Sequence, residues 1–234
     1  MDHAAVLVDH TARLAALAAA ADPATPVPTC PEWSLGQLAR HVGRGHRWAA
    51  EIVRGGEFVH PSAVADGTPS GDQALWLTGA SGLLLDAVAR TGSDSPVWTF
   101  TGPRPATWWV RRRACEAVVH HADAALALDA PFAAAPEAAA DTISEWLGLL
   151  ADGFAKDPIL TEGTSLHLHA TDGAGEWLVR PGPVWEHTHE KATVALRGPV
   201  TDLMLVLLRR RPLATVEVLG DGSVAEDWLE RTAF

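Results

Sequence analysis

The stretch Trp109-Val-Arg-Arg-Arg-Ala-Cys-Glu-Ala-Val-Val-His-His-Ala-Asp123 places Glu116, His120 and Asp123 at helical spacing. At about 100° per residue, four positions return nearly to the same face, so Glu116 and His120 stand one above the other on a helix. A carboxylate oxygen and an imidazole nitrogen presented together are two ligands of a metal site. The plainer reading is an i,i+4 polar pair, partly exposed. A site needs a third ligand from elsewhere in the chain and a cavity to hold it.

Outward from this stretch the pattern is helical. Pro105 can open the helix, which runs to about Leu128. Upstream, residues 3–21 carry Val6, Leu7, Leu14, Leu17 and Ala18 close to a 3.6 period, predicting a first helix that stops at Asp22-Pro23. Pro26-Val-Pro-Thr-Cys-Pro31 cannot continue it, since three prolines remove donors and fix φ. Ser34-Leu-Gly-Gln37 matches a capping box, with Trp33 and Leu38 placed as a hydrophobic staple. The second helix therefore begins at Ser34, buries Leu35, Leu38, Val42, Ala49 and Ile52, brings His41 near its buried side, and ends at Gly55-Gly56. After a long loop over 57–70, residues 72–90 give a third apolar stripe through Leu75, Trp76, Leu83, Leu84 and Val88. The segment 92–103, with two prolines, leads to the fourth helix. Loops of unequal length between four amphipathic helices predict a four-helix bundle with a crossover.

The region 130–136, rich in Pro and Ala, reads as a domain boundary, followed by a fifth helix over 137–154. From Thr164 the period becomes two. Leu166, Leu168 and Ala170 alternate with His167 and His169, a turn follows at Thr171-Asp-Gly-Ala-Gly, and Trp177-Leu-Val-Arg180 returns as a hairpin. Residues 191–198 and 215–219 read as strands, 201–210 as a short helix, and a closing helix follows Asp221-Gly222. The fold class is α+β, with a helical domain over 1–133 and a smaller α/β domain over 134–234.

A chain of 234 residues, 47% hydrophobic and 20% charged, can bury one large core or two small ones. A formal charge of −11 opposes binding to nucleic acid through phosphates. The N-terminus is acidic and interrupted where a secretory signal is basic and then apolar, and no stretch reaches the roughly 20 apolar residues of a membrane span. A cytoplasmic protein with no membrane partner is expected. Two cysteines, Cys30 and Cys115, fit a reducing compartment, and each reads first as a small buried side chain rather than a nucleophile. Ten Trp without a Tyr can wall a pocket or fill a core.

His41, on a second helix of the same bundle, can supply the third ligand beside Glu116 and His120, and Asp123 can hold His120 from behind. Two imidazoles and one carboxylate suit Zn²⁺ with a fourth position open, as in catalytic rather than structural sites. Other candidates carry less. His167 and His169 read as solvent-facing histidines of a strand. His187-Thr-His189 has chelating spacing in the second domain. His46 and His121 are placed on the helix surface, and Arg111 to Arg113 on a solvated face. Arg209, Arg210 and Arg211 end a short helix, where cations favour the C-terminal dipole.

The segments Cys30-Pro-Glu-Trp-Ser-Leu-Gly-Gln-Leu-Ala-Arg-His41-Val and Arg111-Arg-Arg-Ala-Cys-Glu116-Ala-Val-Val-His120-His-Ala-Asp123 resemble the two signatures of the mycothiol-dependent maleylpyruvate isomerase family, within the DinB-like metalloenzyme superfamily. Ser165-Leu-His-Leu-His-Ala-Thr-Asp172-Gly, Glu176-Trp-Leu-Val-Arg180, Arg197-Gly-Pro-Val-Thr-Asp-Leu203 and Arg210-Arg-Pro-Leu resemble its C-terminal domain. The likeness implies a DinB-like bundle with an SCP2-like second domain, and zinc or another divalent metal at His41, Glu116 and His120. It also implies mycothiol, the small thiol of actinobacteria, as cosubstrate between the domains. An arginine, best matched by Arg210, would reach toward the site to bind a carboxylate. The expected activity is addition of a metal-activated thiol to an electrophilic small molecule, as a cis/trans isomerase or an S-transferase. The alternative is a non-catalytic protein whose bundle holds a metal or small ligand.

Overall fold

In the computed structural model, which describes residues 1–154, 158–182 and 184–232, the chain divides into two units, Met1–Ala133 and Ala134–Phe234. The first holds α1 (His3–Ala19), α2 (Leu35–Gly55), α3 (Gln73–Thr91) and α4 (Thr107–Ala127). Helix α2 starts as its sequence dictates: the Ser34 hydroxyl accepts from the Gln37 amide at 3.4 Å while Gln37 Oε1 accepts from the Ser34 amide at 2.8 Å. It ends on Gly56, whose φ of 73° is the left-handed value that a C-terminal cap needs and a Cβ resists. Helix α1 packs on α3 and α4, and α2 packs on the same two, so the order around the bundle is α1, α3, α2, α4. Sequential neighbours α1 and α2 lie across a diagonal, which the long connections permit.

Several expectations shift in detail. Pro105 does not open α4. It pairs in a two-residue ribbon of β1 (Pro96–Val97) with β2 (Arg104–Pro105), and α4 begins at Thr107. On α3 the buried face is Leu77, Ala80, Ser81, Leu84, Ala87 and Val88, whereas Leu75 is exposed. Leu83 of the anticipated stripe is exposed as well, while Leu84 and Val88 are buried as expected, and Trp76 lies against α2. An ideal Cβ on Gly43 would overlap the Trp76 ring, so the glycine inside α2 is there to let the indole lie against the backbone.

The tryptophans of this unit fill the core and fasten the loops. Trp109 is fully buried, and its indole Nε1–H donates to the Trp98 carbonyl at 2.9 Å. Trp48 donates to the Val59 carbonyl at 2.6 Å and Trp76 to the Asp66 carbonyl at 2.8 Å. Each ring buries an apolar body while its one donor ties down a loop carbonyl that no helix could satisfy.

The second unit has α5 (Pro136–Leu149), continued by one π turn, Leu150–Phe154, and a five-stranded sheet. Its strands are β3 (Leu166–Ala170), β4 (Glu176–Arg180), β5 (Val184–Glu186), β6 (Val194–Gly198) and β7 (Glu217–Gly220), in the order β5-β4-β3-β6-β7. All neighbours are antiparallel except β3 and β6, which run parallel in the centre with Leu168 opposite Leu196. Helix α6 (Val200–Leu207) packs on α5, β3 and β6, and α7 (Gly222–Arg231) touches β6. The chain is α+β, a helical N-terminal unit followed by a sheet-containing one. Among the described residues no helix is long and apolar enough to cross a membrane.

Candidate metal centre

Helices α2 and α4 bring His41, Glu116 and His120 together, with one ligand atom of each lying within 4.8 Å of the others. The His120 Nε2 stands 3.3 Å and the His41 Nε2 3.7 Å from Glu116 Oε2. Two donor atoms bound at about 2.0–2.1 Å to one tetrahedral ion are roughly 3.3 Å apart, so both edges fit with shifts of a few tenths of an ångström. Behind them Asp123, fully buried, meets His120 Nδ1 at 2.8 Å and accepts from the Thr29 hydroxyl at 2.6 Å. A proton on Nδ1 donated to Asp123 leaves Nε2 with its lone pair turned toward Glu116 and His41. The Cys30 thiol also approaches Asp123, with Sγ 3.7 Å from Oδ2. Cys115 is buried, as a small apolar side chain should be.

The electrostatics of the trio keep its carboxylate ionised. Burial pushes the Glu116 carboxyl up, but Arg112 beside it, hydrogen bonds from His120 and His41, and then Arg113 together hold it well below the usual carboxylate range. Burial works to lower His120, yet hydrogen bonds to Asp123 and Glu116 prevail and raise it. His41 is lowered, chiefly by burial among its neighbours, against the pull of Glu116.

Its side chain is nonetheless 40% exposed, compared with 17% for Glu116 and 9% for His120. The expected position near the buried side is therefore the rim of the centre, where the ring is covered on one face by Trp33 at 4.5 Å between centroids. The trio is open to solvent on the His41 side and closed on the Asp123 side.

The arginines were expected on a solvated face, and here the structure differs. Arg113 is 6% exposed and Arg112 hydrogen-bonds Glu116 Oε1. With Arg112 on Oε1, Oε2 is the oxygen presented to both imidazoles, and Arg113 Nη1 lies 3.4 Å from it. Arg113 Nε donates to His46 Nδ1 at 3.1 Å, so His46 keeps its proton on Nε2 and donates to the Thr11 hydroxyl at 3.0 Å. Burial first, and Arg113 second, hold His46 well below its usual range.

This line of polar groups crosses from α1 through α2 to Glu116. Gly45 makes room for it: an ideal Cβ there would stand 2.5 Å from Arg113 Nη2 and 2.7 Å from its Cζ. His46 and His121, both placed on the helix surface by their spacing, are buried. His121 Nδ1 faces His10 Nδ1 at 3.1 Å, and burial, reinforced by His10, lowers His121 to about 4. Polar residues on an otherwise apolar face read as solvated in sequence because nothing local marks their partners. The i,i+4 spacing of Arg112 and the i,i+3 spacing of Arg113 from Glu116 are the local signals that place these arginines beside the carboxylate.

In the second unit, Arg210 follows α6 and Arg209, whose φ of 64° is left-handed. Its amide donates to the Leu205 carbonyl and its Nη1 to the Leu208 carbonyl, both at 2.7 Å. Arg211 pairs with Asp202 at 2.5 Å. His167 is not solvent-facing as its strand position implied: it is 5% exposed.

Comparison with known proteins follows the same division. A family profile described as "Mycothiol maleylpyruvate isomerase N-terminal domain" matches residues 4–125, and one described as "MDMPI C-terminal domain" matches residues 137–227. No functionally curated protein matches the chain. Among solved structures, a crystal structure of the mycothiol-dependent maleylpyruvate isomerase is similar, with a TM-score of 0.54 and 16% identity over 93% of this chain and 91% of that one. A mutant of that enzyme gives a TM-score of 0.52 at 13% identity with the same coverage. At such identities the structural likeness establishes the fold, while the profiles match both domains in order over most of the sequence. The chain belongs to the mycothiol maleylpyruvate isomerase family.

Proposed function

We propose that this protein is a metal-dependent enzyme that uses mycothiol to attack a small electrophilic molecule, acting as a maleylpyruvate isomerase-like cis/trans isomerase or as a thiol S-transferase. The observation that supports this reading most is the convergence of His41, Glu116 and His120 at distances that suit one ion, with Asp123 fixing His120 from behind. Their chemistry, two nitrogens and one oxygen, suits Zn²⁺ or a similar divalent metal with a coordination position left over. A metal held there lowers the pKa of a bound thiol, so that a thiolate is available near neutral pH.

The chain's own groups have separable parts in this. Asp123 keeps the His120 proton on Nδ1, which leaves Nε2 free to ligate. Arg112 holds Glu116 Oε1 and so offers a single oxygen to the centre. Trp33 shields one face of His41 from water while the other stays open for a ligand to enter. Arg210 is proposed as the residue that binds a carboxylate of the electrophile, through the planar fork that suits that group. Both outcomes of thiol addition use these same residues. In the isomerase the adduct rotates and expels the thiol, and in the transferase it is kept.

The test is incubation of the metal-loaded protein with mycothiol and a panel of electrophiles that includes maleylpyruvate. Release of fumarylpyruvate identifies an isomerase and stable thiol adducts identify a transferase. Turnover of none of them, together with metal content unchanged in His41→Ala and Glu116→Ala, refutes the proposal. Arg210→Ala is expected to raise KM for carboxylate-bearing electrophiles and to leave metal content as it was.

A further inference from the structure

The second unit contains another convergence of the same chemistry. His167 on β3, Glu176 on β4 and His189 in the segment after β5 each present a ligand atom within 4.8 Å of the others. The sheet explains why they meet. His167 and His169 are two apart on β3 and share a face, and the antiparallel register sets Glu176 directly opposite His169. His187 Nδ1–H donates to the Glu176 carbonyl at 2.8 Å, and its ring packs edge-on to Trp185 at 5.2 Å. That bond tacks the segment to β4 and carries His189 over the same face, where its ring is 5.3 Å from that of His167.

The partners of these groups are unevenly shared. Glu176 Oε1 accepts from His169 Nδ1 at 2.8 Å and from His189 Nδ1 at 2.9 Å. Its other oxygen, Oε2, faces His167 Nε2 at 3.9 Å, too far for a hydrogen bond. His167 Nε2 is buried and has no hydrogen-bond partner, while the residue is 5% exposed. Leaving a buried nitrogen unsatisfied is costly, and a satisfied polar cluster would avoid it.

A strand of alternating solvated histidines would leave no such orphan. A metal ion would satisfy it, since a neutral imidazole nitrogen and a carboxylate oxygen 3.9 Å apart need to close by roughly half an ångström to share a tetrahedral ion. The His189 side chain is 73% exposed, which gives a cation a way in from solvent.

We propose that His167, Glu176 and His189 form a second divalent-metal site, selective for borderline ions such as Zn²⁺, with His169 holding Glu176 from its other oxygen. It repeats the two-imidazole, one-carboxylate set of the bundle on a different scaffold, and it does not depend on the bundle site being filled. On binding, the ion takes the place of the hydrogen bond between His189 and Glu176 and gives His167 Nε2 its missing partner.

The full-length chain is dialysed to equilibrium against Zn²⁺, and bound metal is measured for wild type, His189→Gln, Glu176→Gln, His41→Ala and the His41→Ala/His189→Gln double variant. His189→Gln and Glu176→Gln are each expected to lower retention by about one ion per chain, or to weaken that ion by roughly tenfold or more. The double variant should lose both ions. His189 is exposed, so an unchanged thermal midpoint in metal-free buffer verifies that its variant is folded, and the isosteric Glu176→Gln gives an independent arm. If both variants hold as much Zn²⁺ as wild type, and the double variant as much as His41→Ala, the second site does not exist. If His41→Ala loses no metal while His189→Gln does, the bundle reading fails and this one stands.

Discussion

Gly45 sets two effects of opposite sign against each other, and the structure decides between them. In an ordinary helix interior, replacing Gly by Ala gains about 0.8–1.0 kcal/mol. At Gly45 the new Cβ would lie 2.5 Å from Arg113 Nη2, closer than any real contact, and α2's own backbone fixes where it points. The guanidinium must move, which gives up its bond to His46 at 3.1 Å and its approach to Glu116 at 3.4 Å. Breaking a buried charge from its partners costs about 3–5 kcal/mol. Gly45→Ala should therefore destabilise the protein by about 2–4 kcal/mol, the difference between those two terms.

The control lies on α3, where a Cβ on Gly82 meets nothing within 4 Å, so Gly82→Ala should stabilise by about 1 kcal/mol. Equilibrium urea unfolding, followed by far-ultraviolet circular dichroism, reads both. If Gly45→Ala shifts the midpoint upward as Gly82→Ala does, Arg113 does not cross α2 where the structure places it, and the polar line from Thr11 to Glu116 is wrong.

Three further outcomes follow from the same geometry. Asp123→Asn keeps the volume behind His120 but removes the charge, so metal affinity should fall by roughly tenfold, and Asp123→Ala, which also orphans Thr29, by up to about a hundredfold; competition with a chromogenic chelator measures both, and equal affinity would refute the role of Asp123. His121 is neutral in the folded state, lowered to about 4, while the unfolded chain binds its proton below about 6.5. Stability from this group is therefore whole above pH 6.5 and lost as pH falls toward 4, by up to about 3 kcal/mol, and His121→Gln should flatten the pH dependence of the urea midpoint in that window. Ser34→Ala removes one half of the capping box and should cost about 1 kcal/mol, seen as a lower thermal midpoint, with no change expected in bound metal.

What could be read from the sequence divides by range. The Ser34 capping box, the Gly56 cap, the β3–β4 hairpin and the capped closing helix are local events, each decided by a few neighbouring residues, and each is legible. The pairing of β3 with β6 is parallel and joins residues 28 apart, Leu166 with Val194, which no periodicity encodes. The three-residue β5 is too short to show alternation. That His41, Glu116 and His120 can meet is legible because two of them share a helix face and the third lies two turns into a sharply capped helix. Their support is not: Thr29, Arg113 and His46 reach their partners across 94, 3 and 67 positions, and only the middle figure is a helical spacing. Buried polar residues obey satisfaction rules that appear once the partners are in place.

The tryptophan ring over His41 has a consequence for observation. Without tyrosine in the chain, excitation to the red of the phenylalanine band is absorbed and re-emitted by indoles alone. Trp33 is in ring contact with both His41 and His120, the latter at 6.3 Å. A charged imidazole accepts an electron from an excited indole more readily than a neutral one, so the brightness of Trp33 changes with whatever cation His41 carries. The protein thus holds its own lamp at the mouth of the centre. A Trp33→Phe difference spectrum would separate that signal from the other nine and let ion or thiol arrival be followed in real time without a label.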